Sequence, residues 1–371
     1  MSNLGEKKKK CRILYLVGQL GSGGLERQLS YLLQAIDKER YQPGVVVWNY
    51  NKEDLFIKKI SELGIPLYFL PNTLGSVGKL RAFRILVRDC CPEVVHSYSF
   101  YTNFAVWFAT LWTPVIPIGS IRQNFIFERQ KAGMVLGYLS ARWPATQICN
   151  SVAARVTIEG LQEFSKPRSL FSVRNRLDLN QFSLHPVPQG PPILLAVGRL
   201  FPEKRWDRLL RCVASLVSIG LDFSVQLAGE GPLRKKLETQ VRELDLEAVV
   251  QFLGLRSDVP ALLKEATFLV HTADAEGSPN VVMEAMACGR AVVSTDVGDI
   301  SYLVDDGKTG FVVPREDEKE LTERIMILIG DYELCHRMGN AARTKAEQEF
   351  GLDRLASETL EVYRVAGFKE G

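Results

Sequence analysis

The stretch His271–Arg290, HTADAEGSPNVVMEAMACGR, decides the fold. A short apolar run, Thr267 to Val270, precedes it and reads as a buried strand. Ser278 is a good N-cap and Pro279 suits the first helical position, so the spacing predicts a helix from there. The helix runs from Asn280 to Cys288 and stops at Gly289. It is apolar nearly all round, which marks it as buried. Two carboxylates break the pattern: Glu276 just before the helix and Glu284 inside it. A buried carboxylate is costly unless hydrogen-bond donors reach it. The open helix start offers backbone N–H groups and partial positive charge, which suits a phosphate. One unit thus presents a carboxylate, an anion site and a second carboxylate. Sugar hydroxyls, a diphosphate and a ribose would satisfy all three. The bland alternative pairs Glu284 with a neighbouring Arg and leaves Glu276 as a loop residue.

The chain has 371 residues, 46% hydrophobic and 24% charged, which suits two globular domains. Its net charge of +3 hides an asymmetry. Residues 1–177 carry 24 Lys+Arg against 12 Asp+Glu, and residues 178–371 carry 22 against 31. A basic half suits an anionic partner or an anionic membrane surface, though surface composition alone accounts for it equally well. Seven cysteines, two of them adjacent and none in a C-x-x-C, read as reduced cytosolic thiols without a zinc site. The basic start is followed by an apolar run, Ile13 to Val17, too short for a signal peptide; it reads as a first strand. Ser97 to Ile121 holds no charged residue, but Pro114 and Pro117 break a spanning helix. A buried helix followed by a buried strand fits that stretch better.

Strand candidates alternate with helical stretches throughout. In the first half the strands are Ile13–Val17, Gly44–Trp48, Leu67–Leu70, Val94–His96, Val115–Gly119 and Gln147–Cys149. Asn180 to Pro192 contains four prolines and reads as a linker. Alternation restarts with Ile193–Val197, Phe223–Leu227, Val249–Phe252, Thr267–Val270, Ala291–Ser294 and Gly310–Val313. The expectation is α/β: two Rossmann-like doubly wound parallel sheets with a cleft between them. Ligands of such sheets bind beyond the carboxyl ends of the strands.

The motif Glu276-Gly277-Ser278-Pro279-Asn280-x-x-x-Glu284 resembles the E-G-x-P-N-x-x-x-E signature of retaining glycosyltransferases of the GT-B fold, family 4, also called group 1. The resemblance is strong from Ile193 to Pro314. Gly198-Arg199-x-x-x-x-Lys204 resembles the family's G-R-x-x-x-x-K element, although the usual K-G continues here as Lys204-Arg205. Gly23 and Gly24 look like its G-G-x-E loop, Gly231-Pro232 closes its G-x-G-P turn, and Gly254 and Arg256 match a stretch that often holds the base. The resemblance implies a donor domain at 179–350, an acceptor domain at 1–178, and a final helix, 351–371, that crosses back onto the acceptor domain. It implies a nucleotide diphosphate sugar, for example a UDP-sugar, as donor. Arg199, Lys204 and the helix start at Ser278 would hold the diphosphate. Glu276 would bind the sugar hydroxyls and Glu284 the ribose. Gly277, Pro279, Asn280 and Val281 complete the donor set, and Glu276, Arg199 and Lys204 form the catalytic group. Two cations beyond a strand end neutralise a diphosphate electrostatically. No D-x-D stands in these motifs, so neither metal nor other cofactor is expected.

Some positions depart from the family. Its usual His after the fifth strand is here Arg122 or Gln123, and His96 lies one strand earlier. These three are acceptor-side candidates. The N-G-x-D turn is Asn175-Arg176-Leu177-Asp178, and the second Gly after Val297-Gly298 is Asp299. The acceptor implied is a glycan or lipid-linked, in cell-surface polysaccharide or glycolipid synthesis. A cytoplasmic protein in peripheral contact with an anionic membrane fits the basic half and the Lys7–Lys10 run. No nucleic-acid partner is expected. A nucleotide-sugar epimerase or hydrolase of the same architecture, or a non-catalytic sugar-nucleotide sensor, would share these motifs.

Overall fold

In a computed structural model that describes residues 11–21, 23–122, 124–162 and 166–369, the chain divides into two units. One comprises Met1–Arg176 with Leu352–Gly371, the other Leu177–Gly351.

The first unit holds seven parallel strands: β1 (Cys11–Val17), β2 (Tyr41–Val47), β3 (Leu67–Phe69), β4 (Val94–Ser97), β5 (Ile116–Ile121), β6 (Thr146–Cys149) and β7 (Ser169–Ser172). Their order is β3-β2-β1-β4-β5-β6-β7. Helices α1 (Gly24–Ala35), α2 (Leu55–Glu62), α3 (Ser76–Cys90), α4 (Asn103–Thr110), α5 (Phe125–Lys131), α6 (Met134–Arg142) and α7 (Val152–Gly160) connect them. Strands such as β1 are buried over most of their length, from Ile13 to Val17 in β1, which is why they read as unbroken apolar runs. The uncharged Ser97–Ile121 stretch is the end of β4, a 3-10 turn, α4 and β5, with Val106, Ala109 and Ile118 fully buried. No described helix is long and apolar enough to cross a membrane.

The second unit repeats the plan with six strands: β8 (Ile193–Val197), β9 (Ser224–Ala228), β10 (Val250–Gly254), β11 (Phe268–His271), β12 (Ala291–Thr295) and β13 (Gly310–Val313), ordered β10-β9-β8-β11-β12-β13 and all parallel. Its helices are α8 (Trp206–Ser218), α9 (Arg234–Glu243), α10 (Val259–Glu265), α11 (Asn280–Ala287), α12 (Ile300–Leu303), α13 (Glu318–Gly330) and α14 (Tyr332–Glu349). Leu194, Val225, Val270, Val293 and the buried Trp206 of α8 belong to one core. The order doubles back between β8 and β11. At such a switch point the flanking loops part and leave a crevice.

Asn180–Pro192 is not a free linker, as its prolines suggest, but part of the second unit. Prolines lack N–H groups, yet their carbonyls still need donors. The buried guanidinium of Arg290 donates to the carbonyls of His185 and Pro186, and Arg343 donates to that of Phe182. Phe182 and Val187 are themselves buried.

A last helix, α15 (Asp353–Val365), belongs to the first unit and packs on α1. There Arg176 stands in the family's glycine position. Gln28 of α1 holds its backbone at 2.7 and 2.9 Å, and its guanidinium reaches Glu358 of α15 at 2.6 Å.

Candidate active site

β8 and β11 lie side by side at the switch point of the second sheet, and each delivers a loop from its carboxyl end. The β8 loop carries Lys204 and the β11 loop carries Glu276. The Lys204 ammonium donates a hydrogen bond to Glu276 Oε1, and both side chains are more than four-fifths buried. His271, the last residue of β11, touches the same carboxylate through Nε2 at 3.4 Å, while its Nδ1 lies 3.0 Å from the Ser294 hydroxyl of β12. Burial alone would raise the Glu276 pKa. The Lys204 charge and the His271 hydrogen bond outweigh burial and hold it at about 2. Burial depresses the pKa of His271, partly offset by Glu276 and reinforced by Lys204, so the ring is neutral. An ionised carboxylate only accepts, so Nε2 carries the ring proton. Lys204 is thus largely enclosed, while Arg199 is exposed, 3.5 Å from Glu203 and over the Phe201 ring.

Backbone details explain why these loops hold their shape. A Cβ on Gly198 would lie 3.3 Å from Lys204 Cε and 3.1 Å from Trp206, so glycine there makes room for the lysine. A methyl on Gly229 would overlap the Gly198 carbonyl oxygen, and Gly198 N–H donates to Ala228 O, so β8 and β9 end in close contact. Arg205 sits at φ +52°, a left-handed conformation natural to the family's glycine and costing other residues about 1 kcal/mol or more. Its guanidinium compensates by pairing with Asp274 at 2.5 Å and Asp207 at 3.2 Å. The Asp274 contact ties the lysine loop to the glutamate loop, as do Thr272 Oγ1 to Lys204 O and Asp274 N–H to Glu203 O. Gly298, at φ +56°, lies beneath Gly277, whose carbonyl accepts from Asp299 N–H at 2.9 Å. Asp299, the second departure, therefore belongs to the support of this loop.

Helix α11 starts at Asn280, with Pro279 at the cap, one residue later than the sequence suggests; no side chain caps it. Ser278 and Glu284 are buried and Gly277 with them, while Asn280 and Val281 are half-buried. Arg290, the obvious candidate to neutralise Glu284, instead donates to five carbonyls: Leu263, Lys264, His185, Pro186 and Gly289. Gly254 ends β10 at φ +69° and its carbonyl accepts from Gly229 N–H. The nearby Arg256 side chain is held by Asp258 at 2.5 and 2.7 Å.

The remaining candidates lie in the first unit. Gly23 and Gly24 are exposed at the start of α1, with Gly23 as the cap. His96 is fully buried, bonded to the Tyr363 hydroxyl at 2.7 Å and to that of Ser120 at 3.0 Å. Burial, reinforced by Arg122, keeps it neutral. With both nitrogens engaged it fastens α15 to the sheet and has no atom left for an acceptor, which corrects its assignment. Arg122, just past β5, stacks on the Tyr98 ring at 4.1 Å, and its Nε has no hydrogen-bond partner among the described residues. Gln123 lies outside the described residues.

Sequence reasoning passed over His271. It stands five residues before Glu276 at a strand end, but only the β11–β12 pairing shows what it touches.

Residues 180–345, within the second unit, match the family model of glycosyl transferases group 1. The chain is 33% identical over 202 residues, 51% of its own length and 50% of the relative's, to the putative colanic acid biosynthesis glycosyltransferase WcaL of Escherichia coli. It is 28% identical over 355 residues to an uncharacterized glycosyltransferase of Haemophilus influenzae, covering 94% of this chain and 98% of that one. The chain spans about half the length of the curated relatives it matches at 30% identity or above. Its fold is that of GT-B glycosyltransferases. Anabaena HepE, solved in complex with UDP and glucose, superposes with a TM-score of 0.81 over 96% of this chain and all of that one, at 20% identity.

Proposed function

We propose that the chain is a retaining glycosyltransferase that moves a sugar from a nucleoside diphosphate sugar to a glycan or lipid-linked acceptor without a metal ion. The observation that carries this reading is the ionised Glu276 bound to Lys204 at the switch point of the second sheet. Glu276 Oε1 faces Lys204 and His271, and a carboxylate has lone pairs enough to accept sugar hydroxyls as well. Lys204 has three donors and can turn to a phosphate without abandoning Glu276. Exposed Arg199 adds a forked cation for the leaving diphosphate, whose charge grows as the glycosidic bond breaks. Glu284 on α11 takes the ribose. Arg122 stands where the family has a histidine on the acceptor side, and its cation suits an anionic acceptor group. The WcaL likeness favours a polysaccharide precursor, and the basic first half favours peripheral contact with an anionic membrane.

The test is a panel of labelled sugar nucleotides, UDP-sugars first, incubated with and without membrane lipid extract in excess EDTA. Transfer to lipid or glycan with anomeric retention supports the reading. Release of free sugar without an acceptor would favour a hydrolase. Loss of transfer in EDTA, restored by magnesium or manganese, would contradict the metal-free site.

A further inference from the structure

The uncharged Ser97–Ile121 stretch is mostly buried, although Trp112 is 91% exposed. A denser run of exposed apolar residues lies just beyond it. Helices α5 and α6 pack tightly: a methyl on Gly137 would overlap the Arg129 carbonyl, and Gly133, at φ +82°, turns the chain between them. This hairpin turns apolar side chains outward. Met134 is 90% exposed and Val135 68%, with Ile126, Phe127 and Tyr138 exposed beside them. Monomeric surfaces seldom hold such a run without a use for it.

Charge around the hairpin has one sign. Residues 124–143 contain Arg129, Lys131 and Arg142 and a single acid, Glu128, which is buried. Lys131 lies 5.9 Å from the Phe127 ring. Beyond α6, Trp143 stacks on Trp107 of α4 at 5.4 Å, with Arg142 and Arg168 over its ring at 5.9 and 5.1 Å. An apolar tip, with tryptophans and cations beside it and no exposed acid among residues 124–143, suits the acyl chains, interface and anionic headgroups of a bilayer. An acid-bearing protein partner would meet the cations but leave the exposed apolar side chains of Met134 and Val135 without a use.

We infer that the α5–α6 hairpin is a membrane-docking element that inserts Met134 and Val135 among the acyl chains of an anionic bilayer. It gives the membrane-borne acceptor of the proposed function a physical route, and rests on that reading only for its purpose. Tip residues add an apolar contribution that salt does not screen, unlike the Lys7–Lys10 run, whose attraction fades beyond a Debye length of roughly 8 Å at physiological ionic strength.

The experiment is co-sedimentation of the full chain with phosphatidylcholine vesicles, with and without about 30% phosphatidylglycerol, at low and high salt. Three proteins are compared: wild type, Met134→Glu/Val135→Glu, and a form with Lys7 to Lys10 neutralised. Both tip residues are exposed, so the double variant should keep the wild-type melting temperature. Wild type should bind the anionic vesicles, weaken at high salt and retain part of its binding there. The double variant should lose roughly tenfold or more at both salts, the scale of two apolar side chains kept from burial, while the tail variant loses only the salt-sensitive part. Full binding by the double variant, or none by wild type, would overturn the inference. So would self-association of wild type without vesicles that the double variant abolishes, since the tip would then be an interface between copies. Titration of both proteins with UDP separates the two claims. Unchanged nucleotide affinity with lost vesicle binding places the effect at the hairpin. Vesicle binding without any nucleotide binding would sink the proposed function and leave the docking element standing.

Discussion

Lys204 and Glu276 each make the other tolerable away from bulk water, and removing one strands its partner. Lys204→Ala should cost about 3 kcal/mol of stability, the scale for breaking a buried pair from one side. Arg199→Ala, at an exposed position, should change stability by less than about 0.5 kcal/mol. Both should lower kcat about a hundredfold if the cations stabilise the leaving diphosphate. Denaturant titration beside steady-state kinetics checks the contrast, and equal stability loss in the two variants would contradict the geometry. The same pair sets a pH dependence. The folded Glu276 pKa of about 2 lies below its ordinary 4.5, so its stabilisation is complete above about pH 4.5 and drains away as pH falls toward 2. Glu276→Gln should therefore flatten the acid limb of the stability curve between those values. A variant curve parallel to wild type would mean the pair contributes nothing. The loops that bring Glu276 and Lys204 together were legible in the sequence because fixed spacing surrounds both residues. His271 was not, because its partner Ser294 lies on a neighbouring strand that only pairing brings near.

At the scale of elements, the site depends on where strands end. Gly198, Gly229 and Gly254 let β8, β9 and β10 finish in contact, and the lysine loop starts from that junction. Gly229→Ala pushes a methyl into the Gly198 carbonyl and should cost about 2–3 kcal/mol, the scale of overpacking. The melting temperature should drop and kcat fall with it, since the Lys204 loop shifts. A stable variant with wild-type kinetics would show that the junction does not position the lysine. Buried parallel strands were easy to read, as continuous apolar runs bounded by turns. β7 was not, being four residues long and half exposed. Helices α5 and α6 also escaped, because their exposed apolar residues and the internal Gly137 blur any amphipathic period. Prolines misled at 180–192, where the carbonyls, not the N–H groups, make the contacts.

Over the whole molecule the first unit is discontinuous, since it needs α15 from the far end of the chain. The second unit is continuous and carries the pair, the glycine junction and α11. A chain cut after Gly351 loses the Tyr363 bond to His96 and the Glu358 partner of Arg176. A cut of that kind removes one partner from a buried histidine and one from a buried guanidinium, each loss costing about 1–3 kcal/mol. The first unit should unfold early on heating, while the second keeps its affinity for the nucleotide. Loss of nucleotide binding on that cut would mean that the first unit takes a larger share of the donor than proposed. Sequence spacing separated the two sheets because alternation stops and restarts. The helix that closes the first unit was legible only through family resemblance, as it has no strand beside it in sequence.

The central claim is that Glu276 reads the sugar and Glu284 the ribose of a nucleotide held at the second switch point. Calorimetric titration of a panel of nucleoside diphosphates and their glucose conjugates tests it without an acceptor. Wild type should bind one base, and its sugar conjugate more tightly than the bare diphosphate. Glu276→Gln should erase that increment and leave the diphosphate affinity unchanged. Glu284→Gln should weaken both ligands alike, by about 1.5–3 kcal/mol, the scale of hydrogen bonds to a charged group. No binding of any nucleotide, or variants that bind both ligands as wild type does, would contradict the account.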